Sequence, residues 1–179
     1  ENFNDFNDAP TQAGDAIPAG TYAKMVMTIN PGNVGEGGLL TQSKSSDAQY
    51  LNCEFIISAG LYSGRRVWQN IILTGGSVDA QGKSIAGNIS RQNLRAILES
   101  ARGVIPTDYS EAAQAKRRIN GIGDFNGMEF AARIHLEIDG THEFKPKNFL
   151  GLIITPDMPQ YQAIMAGETI QSEDETKCT

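Results

Sequence analysis

The chain has few residues of the kinds that build metal and redox sites. It contains 2 cysteines and 2 histidines among 179 residues. Cys53 lies inside an apolar run and Cys178 lies near the C-terminus, so they form a poor disulfide framework, and we expect both to be reduced thiols. Their spacing fits no zinc site, and the aspartates near the N-terminus fit no calcium loop. The sequence therefore predicts no metal and no organic cofactor.

Long apolar runs are also missing. No run comes near the roughly 18 residues that a membrane-spanning helix needs. Residues 1–16 are acidic and polar, whereas a secretory signal begins with basic residues and continues with apolar ones. We expect a soluble protein that stays in the cytoplasm and contacts no membrane.

An overall excess of positive charge is absent as well, since the net charge is −6. The acids are concentrated at the ends: residues 1–16 carry four acids and no base, and residues 168–179 carry four acids and one lysine. Of the 15 bases and 21 acids in the chain, the part between these ends therefore holds 14 and 13. A balanced body can still carry a local basic stripe that attracts an anionic partner. The alternative is that the acidic ends only keep the chain in solution.

Five segments alternate apolar and polar residues in the way that half-buried strands do. They are residues 21–29, 49–58, 65–74, 128–138 and 148–155. A loop with several glycines, residues 31–48, joins the first two, and a turn bounded by Gly60 and Gly64 joins the second and third. The two closely spaced strands predict a hairpin.

Helical spacing follows the third strand. Apolar residues recur there at intervals of three and four positions, at Leu94, Ile97, Leu98 and Ala101. The pattern predicts a helix capped by Ser90 and ended by Gly103. A second short helix is predicted from Ser110 to Arg118 and has a basic end, Lys116-Arg117-Arg118, as the helix dipole favours. Because charges at a helix end are usually solvated, we rank these three below the strand residues as phosphate ligands.

The order strand, loop, strand, turn, strand, helix, strand, loop, strand is that of an OB-fold, a partly open Greek-key barrel. The expected fold class is mainly β with α, a five-stranded OB-fold-like barrel with a helix between strands 3 and 4. Residues 17–156 would form this domain, residues 1–16 an acidic N-terminal tail, and residues 157–179 a C-terminal extension with an acidic tail. A two-sheet β-sandwich of the same strands is the competing arrangement.

The third strand carries different chemistry on its two faces. One face presents Arg66, Asn70 and the only tryptophan, Trp68, while mostly apolar residues point the other way. A cation, a flat ring and an amide on one surface suit base stacking and phosphate contact. OB-folds bind oligonucleotides across strands 2 and 3 and between the loops that join strands 1–2 and 4–5. The predicted nucleic-acid-binding residues are therefore Tyr50, Asn52, Arg66, Trp68, Asn70, Lys44, His142, Lys145 and Lys147.

The central residues of this set also have simpler interpretations. A single tryptophan is more often a core residue than a binding surface, so Trp68 can be covered by the N-terminal tail or by the second helix. One of the two arginines, Arg65 or Arg66, can pair with Glu54 across the hairpin. Since Arg65 is next to the turn, we base the prediction on Arg66.

Catalytic and nucleotide-binding motifs are incomplete in this sequence. Gly82-Lys83-Ser84 looks like the end of a phosphate-binding loop, but position 77 is Ser77 where that motif needs glycine. With a helix that starts at Ser90, these residues also precede the helix by too many positions to direct amide groups at a phosphate. The two histidines accompany no recognised nucleophile motif. We therefore expect a protein that is not an enzyme.

Three segments carry a resemblance to a known group of proteins. They are Ile17-Pro18-Ala19-Gly20-Thr21-Tyr22, the turn and strand from Gly60 to Trp68 with Tyr62-Ser63-Gly64-Arg65 at its centre, and the helix from Ser90 to Leu98. Over about residues 15–155 the chain resembles bacteriophage proteins encoded among replication and recombination genes, many of them known only as a domain of unknown function. The resemblance implies a single-stranded DNA-binding or replication-accessory role.

The acidic end adds to this resemblance. Glu173-Asp174-Glu175 is similar to the partner-recruiting tails of single-strand binders, which implies phage or host replication proteins as partners. Such tails often finish on an aromatic residue, whereas this chain finishes with Thr176-Lys177-Cys178-Thr179.

These observations together predict a non-enzymatic single-stranded DNA-binding protein of a phage replication or recombination system, located in the host cell cytoplasm. It would bind by aromatic stacking and phosphate contacts with little sequence preference. The alternative is a β-rich protein-interaction or virion structural module. A third hypothesis is a small enzyme or sugar-binding domain that uses Trp68 and Asn70.

Overall fold

The computed structural model describes residues 15–141 and 145–171. Within these ranges the chain forms seven strands, three α-helices and two short 3-10 turns, Glu36–Gly38 and Ile122–Phe125. The strands are β1 (Thr21–Asn30), β2 (Thr41–Gln42), β3 (Gln49–Ile57), β4 (Arg66–Thr74), β5 (Glu129–Glu137), β6 (Lys147–Ile154) and β7 (Ile170–Gln171). The helices are α1 (Ile85–Arg102), α2 (Glu111–Lys116) and α3 (Tyr161–Met165). The fold is mainly β, as predicted.

The strands form one antiparallel sheet in the order β4-β3-β1-β5-β6. The short strand β2 pairs with the start of β3, and β7 pairs with the start of β1. Within the described residues the sheet is open, because no ladder joins its edge strands β4 and β6. The structure therefore confirms the β class but not a closed barrel, and it does not have the two sheets of the sandwich.

The two edge strands nevertheless lie close together. Successive antiparallel pairings make β4 and β6 run in the same direction. One hydrogen bond joins them: the amide N–H of Leu150 in β6 donates to Oε1 of Gln69 in β4, at 2.9 Å. A side chain thus pairs with one backbone group of the open edge, which would otherwise need water.

The core lies between one face of the sheet and α1. Alternate residues of β1 and β3 are buried there, including Met25, Met27, Cys53 and Phe55. Leu94, Ile97 and Leu98 of α1 join the same core, and the helix packs on β4, β5 and β6. Helix α1 therefore covers the gap between the edge strands.

Helix α1 begins six residues earlier than the sequence predicted. Its N-cap is Ser84, whose Oγ accepts a 3.0 Å hydrogen bond from the N–H of Gly87, while Ser90 is buried inside the helix. The prediction was wrong because Ile85 and Ile89 are exposed, so the periodic apolar face starts only at Leu94. The helix ends as predicted, at Gly103 with φ of 68°.

The earlier start of α1 places Gly82-Lys83-Ser84 directly before the helix. The three residues follow a strand and directly precede a helix, so distance from the helix was the wrong ground for rejecting a phosphate loop. The glycine spacing still fails. In addition, Oδ1 of Asp79 accepts hydrogen bonds of 2.9 Å from the amides of Gln81 and Lys83. A carboxylate of the chain itself therefore occupies amide groups that a phosphate would need.

Residues after 156 are more structured than the sequence indicated. Helix α3 packs on the outer face of the sheet, where Tyr161 and Ile164 form a small second core with Ala131 and Ile154. The hydroxyl of Tyr161 donates to the carbonyl of Ser100 at 2.6 Å and so ties α3 to α1. These contacts cover the outer face around β1 and β5.

The segment 31–48, predicted as a loop, contains β2 and a 3-10 turn. The remaining strand predictions are accurate, since each end of β1, β3, β4, β5 and β6 lies within one residue of the predicted one. The second helix was predicted slightly long, because Ser110 and Arg117 are its caps.

Candidate nucleic-acid interface

The strand residues that the sequence analysis singled out share the outer face of the β3–β4 pair. In the ladder Asn52 is the partner of Asn70, and Glu54 is the partner of Trp68. Tyr50 lies further along β3 on the same face. We call the surface formed by Tyr50, Asn52, Glu54, Arg66, Trp68 and Asn70 the Trp68 face.

Trp68 is an exposed residue of this face, with 55% of its surface accessible. Its indole Nε1–H donates to Oε1 of Glu54 at 2.7 Å. The hydrogen bond restricts the ring and leaves much of its surface open to solvent. Among the described residues, neither α2 nor any other element buries it. A fixed and exposed aromatic ring is a suitable surface for stacking a planar ligand.

Glu54 also holds the cation of the face. Arg66 donates to Oε2 of Glu54 at 3.1 Å, so one carboxylate accepts from both Trp68 and Arg66. The simpler interpretation of one arginine is therefore correct, but it applies to Arg66. Arg65 instead donates to the backbone carbonyl of Asp15 at 2.6 Å. The sequence could not separate the two, because the choice depends on where the chain enters β1.

The lysines of the predicted site lie at opposite ends of β4. Lys44 is exposed in the turn between β2 and β3, near Thr74 at the end of β4. Lys147 is exposed at the start of β6. Because β4 and β6 run in the same direction, Lys147 at the start of β6 and Arg66 at the start of β4 lie toward the same end of the sheet. Lys145 is exposed just before β6, and His142 lies outside the described residues.

The charge of the Trp68 face is close to zero, since the carboxylate of Glu54 balances the guanidinium of Arg66. This face can stack a planar group and hydrogen-bond to it through Asn52 and Asn70. Attraction for an anionic backbone must come from the lysines beside it. The sequence did not show that the stacking residues and these lysines, which form no ion pair within the described ranges, lie apart.

A second cationic cluster, which sequence reasoning missed, lies between α1 and the end of α2. Glu99 is 2% exposed, and its Oε1 accepts from Nε of Arg95 at 2.5 Å and from Nε of Arg117 at 2.8 Å. The hydrogen bond to Glu99 is the main reason why the pKa of Arg95 is raised above its ordinary value. The prediction that Arg117 is solvated surface is wrong, because only 12% of its side chain is exposed.

Tyr109 lies against both arginines of this cluster. Its ring centroid is 5.7 Å from the guanidinium carbon of Arg95 and 5.5 Å from that of Arg117. The side-chain amide of Gln114 donates to the backbone carbonyl of Tyr109 at 2.7 Å. Tyr109 is nevertheless 66% exposed, so the two cations leave much of the residue open to solvent.

The cluster borders a cleft of about 890 Å³ between α1, the end of β4 and the segment from Arg117 to Phe125. We call it the arginine cleft. Its walls include Arg91, Arg95 and Arg117, and its floor is apolar, formed by Leu73, Leu94, Leu98, Ile119, Ile122 and Phe125. A neighbouring cleft of about 430 Å³ shares Leu73, Thr74, Asn88 and Arg91 with it and extends to Lys83.

The i,i+4 spacing of Arg91 and Arg95 on a predicted helix was the one sequence signal for this cleft. It was insufficient, because Tyr109 and Arg117 join the cluster only through the packing of the α2 region on α1. Among the described residues no group of three or more histidines, cysteines or acids could hold a metal ion. Across the same ranges, every helix is too short or too polar to cross a membrane.

No protein-family model matches this chain, and a search of curated proteins also finds no match.

Proposed function

We propose that this chain is a non-enzymatic single-stranded DNA-binding protein that stacks bases on the Trp68 face. The observation that carries the proposal is the tryptophan itself. Trp68 is 55% exposed and is oriented by Glu54, in a row with Arg66 and Asn70. A large apolar ring kept at the surface by a specific hydrogen bond is consistent with a ligand that covers it.

The proposed architecture is an OB-fold-like barrel whose last seam is only partly closed. Three features support it: the strand order, the parallel approach of β4 and β6, and the position of α1 across the seam. In this architecture the Trp68 face corresponds to the surface of strands 2 and 3 on which OB-folds bind oligonucleotides. Lys44 would lie in the loop between strands 1 and 2, and Lys145 and His142 in the loop between strands 4 and 5.

The proposal includes no catalytic step. Burial raises the pKa of the Cys53 thiol to about 12, so this residue is a poor nucleophile near neutral pH. The resemblance to phage replication and recombination proteins supports a role in such a system, in the host cytoplasm. The acidic residues near the C-terminus, which lie outside the described residues, would recruit phage or host replication proteins.

The test is a titration of a fluorescent oligo-dT by anisotropy at several salt concentrations. We expect binding that weakens with salt, because phosphate contacts release counterions. Trp68→Ala should weaken binding roughly 5- to 150-fold, as expected for about 1–3 kcal/mol of stacking. The matched control is Leu61→Ala, since Leu61 is also a large exposed apolar residue, 73% accessible, but lies in the hairpin turn.

Flat anisotropy at low salt would overturn the proposal. If the protein then forms a defined assembly without nucleic acid, the alternative of a β-rich protein-interaction or virion structural module is favoured. Equal losses of affinity in Trp68→Ala and Leu61→Ala would show that the binding surface is not the Trp68 face.

A further inference from the structure

We propose that the arginine cleft and Tyr109, which lies beside it against Arg95 and Arg117, form a second nucleotide-binding site. In this site a base stacks on Tyr109, and its phosphate contacts Arg91 together with Arg95 or Arg117. This inference rests on the proposed single-stranded DNA binding and names a further part of the path of the strand. Nothing in the Trp68 face requires it, because the cleft lies beyond the end of β4 and beside α1.

Tyr109 is exposed although two arginines contact its ring. Tyr109 is 66% exposed, yet guanidinium carbons lie 5.7 and 5.5 Å from its ring centroid, and its backbone carbonyl accepts a hydrogen bond from Gln114. A ring that is restricted by its neighbours and is still exposed loses little conformational entropy when a base stacks on it. Trp68 is held in a similar way by Glu54.

The arginine cleft has an excess of positive charge. Two guanidinium groups, those of Arg95 and Arg117, share the single carboxylate of Glu99, so the cluster keeps one net positive charge. Arg91, on the same wall, is exposed, and it has no acceptor among the described residues. Each guanidinium carries five N–H donors in a planar fork that matches a phosphate. Nη2 of Arg95 and Nη2 of Arg117 already donate to backbone carbonyls of Ile105 and Pro106. Among the described residues, Arg91 therefore offers an anionic group the most unused donors.

The volume and the lining of the arginine cleft suit a nucleotide. Its volume of about 890 Å³ lies within the roughly 300–1,000 Å³ that small-ligand sites occupy. An apolar floor beneath a cationic rim accommodates a group with a flat apolar part and an anionic part. A nucleotide has both parts. An acidic peptide would match the charge, but it would have no specific use for the exposed ring of Tyr109 beside the cleft.

The arginine cleft is continuous with the neighbouring cleft. The neighbouring cleft shares Thr74, Asn88 and Arg91 with the arginine cleft and extends to the exposed Lys83. Lys44 lies in the turn close to the same end of β4. A line of cations therefore runs from the end of the Trp68 face past Arg91 to Tyr109, as a backbone-tracking groove requires.

The experiment is photocrosslinking of the full chain to oligo-dT that carries 5-iododeoxyuridine, followed by mass spectrometry of the adducts. We expect adducts at both Trp68 and Tyr109. In Trp68→Ala the adduct at Tyr109 should persist, and in Tyr109→Ala the adduct at Trp68 should persist. Adducts at Trp68 with none at Tyr109 would overturn this inference and leave the proposed function standing. Absence of both adducts together with absent binding would overturn the proposed function itself.

Salt dependence provides an independent readout. Arg91→Gln should reduce the slope of log affinity against log salt by about 1, because one phosphate contact is lost. Arg118→Gln is the matched control, since Arg118 is exposed and lines neither cleft. Equal slopes for the two variants would overturn the proposal. It would also be overturned if Arg91→Gln abolished binding of a fluorescent poly-glutamate peptide and left DNA affinity unchanged, because the cleft would then be a docking site for acidic protein.

Discussion

The indole Nε1–H of Trp68 donates a 2.7 Å hydrogen bond to Oε1 of Glu54, its direct partner across the β3–β4 ladder. The other oxygen of the same carboxylate accepts from Arg66 at 3.1 Å. Glu54 therefore has two opposing effects on the proposed DNA interface. It orients the stacking ring, and it neutralises the cation beside that ring.

Replacing Glu54 by glutamine separates these two effects. Glu54→Gln retains an oxygen that can accept from Trp68, but it removes the negative charge and releases Arg66 for a phosphate. We expect tighter binding of oligo-dT and a salt slope larger by up to about 1. Anisotropy titrations at several salt concentrations measure both quantities.

The matched control for this variant is Glu129→Gln. Glu129 also lies on the sheet and pairs with a cation, Lys24, at 2.9 Å, so it undergoes the same change of charge away from Trp68. Similar gains in both variants would indicate a general effect of net charge. A loss of affinity in Glu54→Gln would mean that the orientation of Trp68 outweighs the charge.

Glu99 should be important for stability. Its carboxylate is 2% exposed and joins Arg95 to Arg117. Glu99→Ala leaves the nearly buried guanidinium of Arg117 without its anion, and breaking such a buried pair costs about 3–5 kcal/mol of unfolding free energy. Urea denaturation followed by circular dichroism gives this value. Glu111→Ala, which removes an exposed acid from the first turn of α2, should cost less than about 1 kcal/mol.

The seam between the edge strands depends on Gln69. Its Oε1 is the acceptor for the amide N–H of Leu150, and Gln69→Ala leaves that partly buried donor without a partner. We expect a loss of about 1–3 kcal/mol in unfolding free energy and faster hydrogen exchange at the amide of Leu150. Asn70→Ala, an exposed change one residue away on the opposite face, should alter neither. An unchanged exchange rate in Gln69→Ala would show that the amide is protected in another way.

The thiol of Cys53 should be inert in the folded protein. Burial raises its pKa to about 12, so the fraction present as thiolate at pH 8 is about one in ten thousand. The variant Cys178→Ser leaves Cys53 as the only thiol. Its reaction with a chromogenic disulfide reagent should be negligible until denaturant is added, and then complete. Since folding raises the pKa of this thiol, the unfolded chain ionises at lower pH than the folded protein does. The free energy of unfolding should therefore decrease as pH rises above the ordinary pKa of a thiol.

The strands were predictable because each buries one face. Alternation along the segment from Met128 to Ile138 identifies β5 without knowledge of its neighbours, and the same holds for β1, β3, β4 and β6. The start of α1 was not predictable in this way. Ile85 and Ile89 are exposed, so the spacing of the buried apolar residues does not predict the first two turns of the helix.

The sequence by itself determined which residues of β4 face outward, and therefore that Arg66, Trp68 and Asn70 share a surface, because side chains alternate along a strand. Only the tertiary structure decided that Glu54 binds both Arg66 and Trp68, since that contact requires the register between two strands. It also decided that Tyr109, Arg95 and Arg117 meet around Glu99. Hydrogen bonds and ion pairs act over a few ångströms, and residues distant in the chain reach that range only after the core has packed.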